Sequence, residues 1–87
     1  MSWDYSFTEK ALKQLRKLGH EPSRRIISSL KERVAGEEDP RRFGKELKGD
    51  LGDFWRYRVD DFRIICQIQE MQMIVLIVKV GHRKEIY

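Results

Sequence analysis

Trp3, Tyr5 and Phe7 alternate with Asp4 and Ser6, a period of two that predicts a short opening strand. The period changes at Thr8. Ala11, Leu12, Leu15 and Leu18 then recur at helical spacing, with Lys13, Arg16 and Lys17 between them, and Gly19 supplies a C-terminal stop. A second amphipathic pattern opens around Pro22 and runs through Ile26, Ile27, Leu30, Arg33 and Val34 to Gly36, so the two segments form a helical hairpin. His20, beside Gly19 in the hairpin turn, reads as structural.

Glu37 to Gly52 mixes charge with Pro40 and three glycines and reads as a connector. One turn of helix is expected around Phe43 to Leu47, with Phe43, Leu47 and Leu51 pinning the segment to the core, because unanchored loops of this length are uncommon in compact domains. Three strands follow, Phe54 to Val59, Phe62 to Gln69 and Gln72 to Val80, joined through Asp60-Asp61 and Glu70-Met71. The last is the most apolar and is expected to be central. The predicted architecture is therefore α+β, in the order β-α-α-β-β-β, with an antiparallel sheet and both helices on one face. No repeat or internal boundary interrupts residues 1 to 87, which predicts a single domain burying about 60% of its unfolded surface.

Strand alternation sorts the side chains. Trp55, Tyr57 and Val59 are expected on the helix-facing side, more as core than as base-stacking platforms, while Arg56, Arg58 and Arg63 share the open side. A two-residue turn at Asp60-Asp61 sets Arg58 directly opposite Arg63. Like charges so placed destabilise a ladder, so an anion is expected at that face.

Charge agrees with this expectation. Lysine and arginine outnumber aspartate and glutamate by 18 to 14, a net charge of +4. Concentrated on one face, that excess suits a phosphate-rich or acidic partner, against the plainer reading that these are ordinary solvated positions. The one cysteine, Cys66, lies in an apolar run and reads as a small buried hydrophobe, which excludes a disulfide framework and suits a reducing cytoplasm. The N-terminus lacks a secretory pattern, and the longest apolar run, Met73 to Val78, is six residues, too short to span a bilayer. No cluster has metal-ligand spacing, no glycine-rich phosphate loop precedes a helix, and Ser28-Ser29 has no base beside it, so no cofactor is called for.

Guanidinium groups on a phosphodiester supply paired hydrogen bonds and permanent charge where negative charge grows during attack on phosphorus. Arg56, Arg58, Arg63 and Arg83 can fill that role, Arg83 following the bend that Gly81 permits. On RNA the 2′-hydroxyl can attack its own phosphate, leaving the protein to hold in-line geometry and stabilise charge. Arginine cannot serve as the base at any accessible pH. The His82 imidazole and the Tyr87 phenol are the two candidates for proton transfer.

Three segments carry a family likeness: Leu47-Lys48-Gly49-Asp50-Leu51, Tyr57-Arg58-Val59-Asp60-Asp61-Phe62-Arg63-Ile64-Ile65 and Val80-Gly81-His82-Arg83-Lys84-Glu85-Ile86-Tyr87. They resemble the RelE/ParE superfamily of bacterial toxin-antitoxin toxins, and its RelE branch in particular, across the whole chain. The resemblance implies an endoribonuclease that enters the A site of the 70S ribosome and cuts messenger RNA. It also implies a RelB-like antitoxin that covers the basic face in a hetero-oligomeric complex, and no membrane partner. Arg63 and Arg83 match the family's arginines at the scissile phosphate, and Tyr87 its catalytic tyrosine. Arg56, Arg58, Lys48 and Lys84 are then expected along the RNA backbone. Arg56 and Arg58 stand where RelE-like enzymes carry lysines, one of them proposed as base. The sequence stops at Tyr87 without the C-terminal helix of some relatives. ParE-like relatives inhibit DNA gyrase without cutting RNA, so a gyrase inhibitor or an inactive homologue stays open as the alternative.

Overall fold

In the computed structural model, which describes residues 2–47 and 54–86, strand β1 (Asp4–Phe7) leads into helix α1 (Glu9–Lys17) and helix α2 (His20–Arg33). Thr8 caps α1: its side-chain oxygen accepts from the Ala11 backbone N–H at 3.1 Å. Gly19 then adopts φ +97°, a conformation that side chains rarely enter, and this turns the chain into α2. The Ser23 hydroxyl donates to the Leu15 carbonyl at 2.8 Å, a second bond to an acceptor that also takes the Leu18 N–H, and ties the two helices together.

Four more strands complete one sheet: β2 (Lys45–Glu46), β3 (Trp55–Val59), β4 (Phe62–Gln69) and β5 (Ile74–His82), in spatial order β1-β5-β4-β3-β2. A single helical turn, α3 (Arg83–Ile86), follows β5. Ala11 and Leu15 of α1 and Ile26 and Leu30 of α2 pack with Tyr57, Ile64, Cys66, Val75, Ile77 and Val80 of the sheet, so both helices cover one face. The α+β class and the order of the expected elements are those read from the sequence. No helix among the described residues is long and apolar enough to cross a membrane.

Several details differ from the sequence reading. The helical turn expected at Phe43 to Leu47 is instead a 3-10 turn at Pro40–Arg42, capped by Asp39, followed by β2 paired antiparallel with β3. Gly44, at φ +82°, and the Trp55 indole N–H, which donates to the Phe43 carbonyl at 2.7 Å, direct this segment onto the sheet edge. Phe43 is 36% exposed rather than core, with the guanidinium carbons of Arg42 and Arg33 at 4.9 and 5.2 Å from its ring centroid. Leu47 is half-buried, and Leu51, the third expected anchor, lies outside the described residues.

The sheet is not wholly antiparallel, because β1 adds in parallel to the outer side of β5. With β2 added at the opposite end, β4 becomes the middle strand and β5 its neighbour. The turn after β4 takes four residues, 70–73, with Met73 at φ 54°, so β5 begins at Ile74 rather than Gln72. Past β5, Arg83–Ile86 forms one helical turn that the sequence reading did not assign, started by the Arg83 backbone N–H donating to the Asp61 carbonyl at 2.8 Å.

Beyond the end of β1, no strand among the described residues pairs with the outer edge of β5. Gln14 of α1 covers part of it, its side-chain oxygen accepting from the Val80 N–H at 2.9 Å.

Candidate functional site

Two rows of residues cross the sheet face away from the helices. In the first, Arg58 of β3 lies opposite Arg63 of β4, and Arg63 opposite Gly81 of β5. In the second, Lys45 of β2 lies opposite Arg56, Arg56 opposite Ile65, and Ile65 opposite Lys79. Pleating keeps all of these on one side, since Tyr57, Ile64, Cys66 and Val80, their neighbours along the strands, belong to the core. Two directly opposed like-charge pairs result, Arg58 with Arg63 and Lys45 with Arg56. Such pairs destabilise a ladder by a few tenths to about 1 kcal/mol each.

The open face is less open than its polarity suggests. Arg63 is 7% exposed, although an arginine on that side was expected at the surface; Arg56 is half-buried and Arg58 exposed. The Arg63 Nη1 donates to the carbonyls of Phe62 at 3.2 Å and Asp60 at 3.4 Å, which holds the guanidinium at the turn. Gly81, directly across, brings no side chain to compete for that space. Asp60 itself takes φ 53°, a left-handed conformation that aspartate tolerates. The bond from Arg83 to Asp61 anchors the start of α3 at the same turn, so exposed Arg83 begins its helical turn beside the Arg58-Arg63 pair.

His82 is placed differently. It lies opposite Phe62 with the two rings edge-to-face at 5.9 Å, so it pleats to the side away from Arg58 and Arg63, and its Nδ1 accepts from the Lys84 N–H at 3.3 Å. Lys84 is exposed on α3. Tyr87 and Lys48 lie outside the described residues.

Two groups near the face are chemically quiet. The Tyr57 hydroxyl is buried and donates to the Pro40 carbonyl at 2.6 Å; burial holds its ionisation above the ordinary tyrosine range. Burial likewise pushes the Cys66 thiol up to about 12, and its Sγ donates to the Trp55 carbonyl at 3.4 Å. A thiol so held is a poor nucleophile.

Sequence reasoning missed two groups of cations. Lys45 sat in the connector and Lys79 in an apolar run, so neither showed its strand facing. Separately, Arg24, Arg25 and Arg33 of α2 meet Arg58 around a groove of about 320 Å³ that also holds Glu32 and Asp60. Arg25 pairs with Asp60 at 3.1 Å, and Arg33 Nη1 donates to the Arg58 carbonyl at 3.4 Å. The only sequence signal was their place on the polar side of α2.

The family model described as the ParE toxin of type II toxin-antitoxin systems matches residues 5–87, and the chain belongs to this RelE/ParE superfamily. It is similar to Toxin RelG of Mycobacterium tuberculosis, with 30% identity over 89 residues covering 100% of this chain and 98% of that protein. Among solved structures, the M. tuberculosis toxin-antitoxin complex RelBE2 matches with TM-score 0.84 at 24% identity, over 95% of this chain and 93% of the other, a likeness of fold. The isolated RelE toxin of E. coli matches with TM-score 0.74 at 27% identity, over 92% of this chain and 83% of that one.

Proposed function

We propose that this toxin is a ribosome-dependent endoribonuclease that cuts messenger RNA in the A site, acting in the cytoplasm. The observation that carries this reading is the anchored Arg63 guanidinium opposite exposed Arg58, a pre-set donor array for a phosphate. The 2′-oxygen of one nucleotide attacks its own phosphorus and the bond to the 5′-oxygen of the next breaks. The products are a 2′,3′-cyclic phosphate and a 5′-hydroxyl. Arg63 and Arg83 stabilise the charge that builds on the phosphate oxygens, and Arg56, Arg58, Lys48 and Lys84 hold the backbone. Proton transfer falls to Tyr87 in preference to His82, because His82 pleats away from the arginines.

A RelB-like antitoxin would mask this face in a hetero-oligomer; the similar M. tuberculosis RelBE2 and E. coli RelBE structures are toxin-antitoxin complexes. One observation favours a second reading, gyrase inhibition: the matching family model is that of the ParE toxin.

The test is primer extension on a message translated in the presence of purified toxin, beside an assay for gyrase-DNA cleavage complexes. Cuts within codons are expected. Arg83→Ala and Arg63→Lys should each lower the cleavage rate by about 10²–10³-fold, since lysine cannot reproduce a bidentate fork. An uncut message with accumulated gyrase-DNA complexes would overturn the ribonuclease reading.

A further inference from the structure

The cationic face extends further across the sheet than the residues assigned so far, and a backbone irregularity is what extends it. On β5, Val75 and Ile77 face the core, so strict alternation would send Lys79 into the core as well. It does not go there. The register shifts between Ile65 and Cys66, from Ile65 opposite Lys79 to Cys66 opposite Ile77, which leaves Val78 as the extra residue of a bulge. The bulge returns Val80 to the core and turns Lys79 onto the basic face. Bulges that re-aim a side chain are over-represented next to active sites.

At the other end of the same row, β2 is only two residues long, and one of its two cross-strand pairs is Lys45 against Arg56. The ion pairs among the described residues engage Arg24, Arg25, Arg41 and Arg42, and none takes Lys45 or Lys79. Glu85 and Lys17 border the same hollow as Lys79, which leaves two cations to one carboxylate there. By register, Asp4 lies on this same sheet face, opposite Ile74 toward the far end of β5.

We infer that Lys45 and Lys79 are RNA-backbone positions that extend the proposed phosphate site into a track across β2, β3, β4 and β5, with Ile65 as an apolar floor between Arg56 and Lys79. The inference rests on the ribonuclease reading for the identity of its ligand, a single RNA strand crossing the sheet at right angles to its strands. Three inter-strand spacings put the backbones of Lys45 and Lys79 about 14 Å apart, so the two lysines meet phosphates that are not neighbours along the strand. Contacts of this kind carry no sequence information; they strengthen binding equally for every sequence and make it salt-dependent.

The experiment measures binding of a short single-stranded RNA, 2′-O-methylated throughout so that it cannot be cut, by fluorescence anisotropy across a salt series. Lys45→Ala and Lys79→Ala should each weaken binding alike for unrelated sequences and reduce the slope of log K against log salt by about 0.7. Lys79→Arg should restore the slope, and Lys13→Ala, the same charge change on an exposed position of α1, should leave it at the wild-type value. Slopes for Lys45→Ala and Lys79→Ala no different from that of Lys13→Ala overturn the inference, as does failure of the wild-type chain to bind the oligonucleotide. Reduced slopes in a protein that cuts no translated message support the track and sink the ribonuclease reading; cutting with unchanged slopes does the reverse.

Discussion

Arg58 and Arg63 stand directly opposite each other in the β3–β4 ladder, and only Arg58 is open to solvent. The buried partner is fixed by two carbonyls of its own turn, so the repulsion is released by changing the exposed one. Arg58→Thr replaces a cation with a β-branched residue suited to a strand. It is expected to raise unfolding stability by a few tenths to about 1 kcal/mol in urea titrations while weakening RNA binding. A destabilised Arg58→Thr would show that the pair is not repulsive in the free protein.

How far the fold could be read from the chain depended on whether a local period carried the information. Alternation and helical spacing revealed the two helices, β1, β3 and β4, and a two-residue turn was enough to oppose Arg58 and Arg63. Strand β2 has no such signal, because two residues cannot display a period. The facing of Lys79 was hidden because the run before it is apolar on both sides, so neither side of β5 stands out as polar and the bulge that reverses the alternation leaves no mark. The burial of Arg63 depends on carbonyls at the turn and on the glycine across from it, a tertiary circumstance that its charge argues against. Convergence of Arg24, Arg25 and Arg33 on Arg58 required knowing that α2 packs along β3.

Gly44 is where the connector commits to the sheet. At φ +82° it holds a conformation that alanine resists, and an added Cβ would overlap the Arg56 carbonyl and come within 2.6 Å of the Trp55 Nε1. Gly44→Ala should therefore cost more than about 1 kcal/mol, measured by thermal or urea unfolding. Because the same pairing sets Lys45 opposite Arg56, RNA affinity should fall with it. Unchanged stability would mean that β2 contributes nothing to the sheet.

Tyr57 tests whether an aromatic residue between two arginines of β3 is core or contact surface. Its hydroxyl reaches the carbonyl of buried Pro40 at 2.6 Å, so Tyr57→Phe leaves a buried acceptor without its donor. The expected loss is about 1–3 kcal/mol, seen as a lower urea midpoint with RNA cleavage by the remaining folded protein unchanged. Loss of cleavage at full stability would instead place Tyr57 in contact with the RNA.

Cys66 gives stability an alkaline limit. An exposed thiol in the unfolded chain ionises near its ordinary value of about 8.5, whereas burial pushes the folded value up to about 12. Between those values the folded state retains a proton that the unfolded state has lost, so stability falls as pH rises. The contribution is complete below pH about 8.5 and declines by up to about 1.4 kcal/mol per pH unit above it. Tyr57, also raised by burial, steepens the decline beyond its ordinary value of about 10. Urea unfolding as a function of pH should show this loss in the wild type, while Cys66→Ala should hold a flat profile until tyrosine begins to ionise. The same burial predicts that a thiol reagent modifies Cys66 only when the protein unfolds. Rapid modification of the native protein, or identical pH profiles for the two chains, would show that the thiol is not sealed in the core.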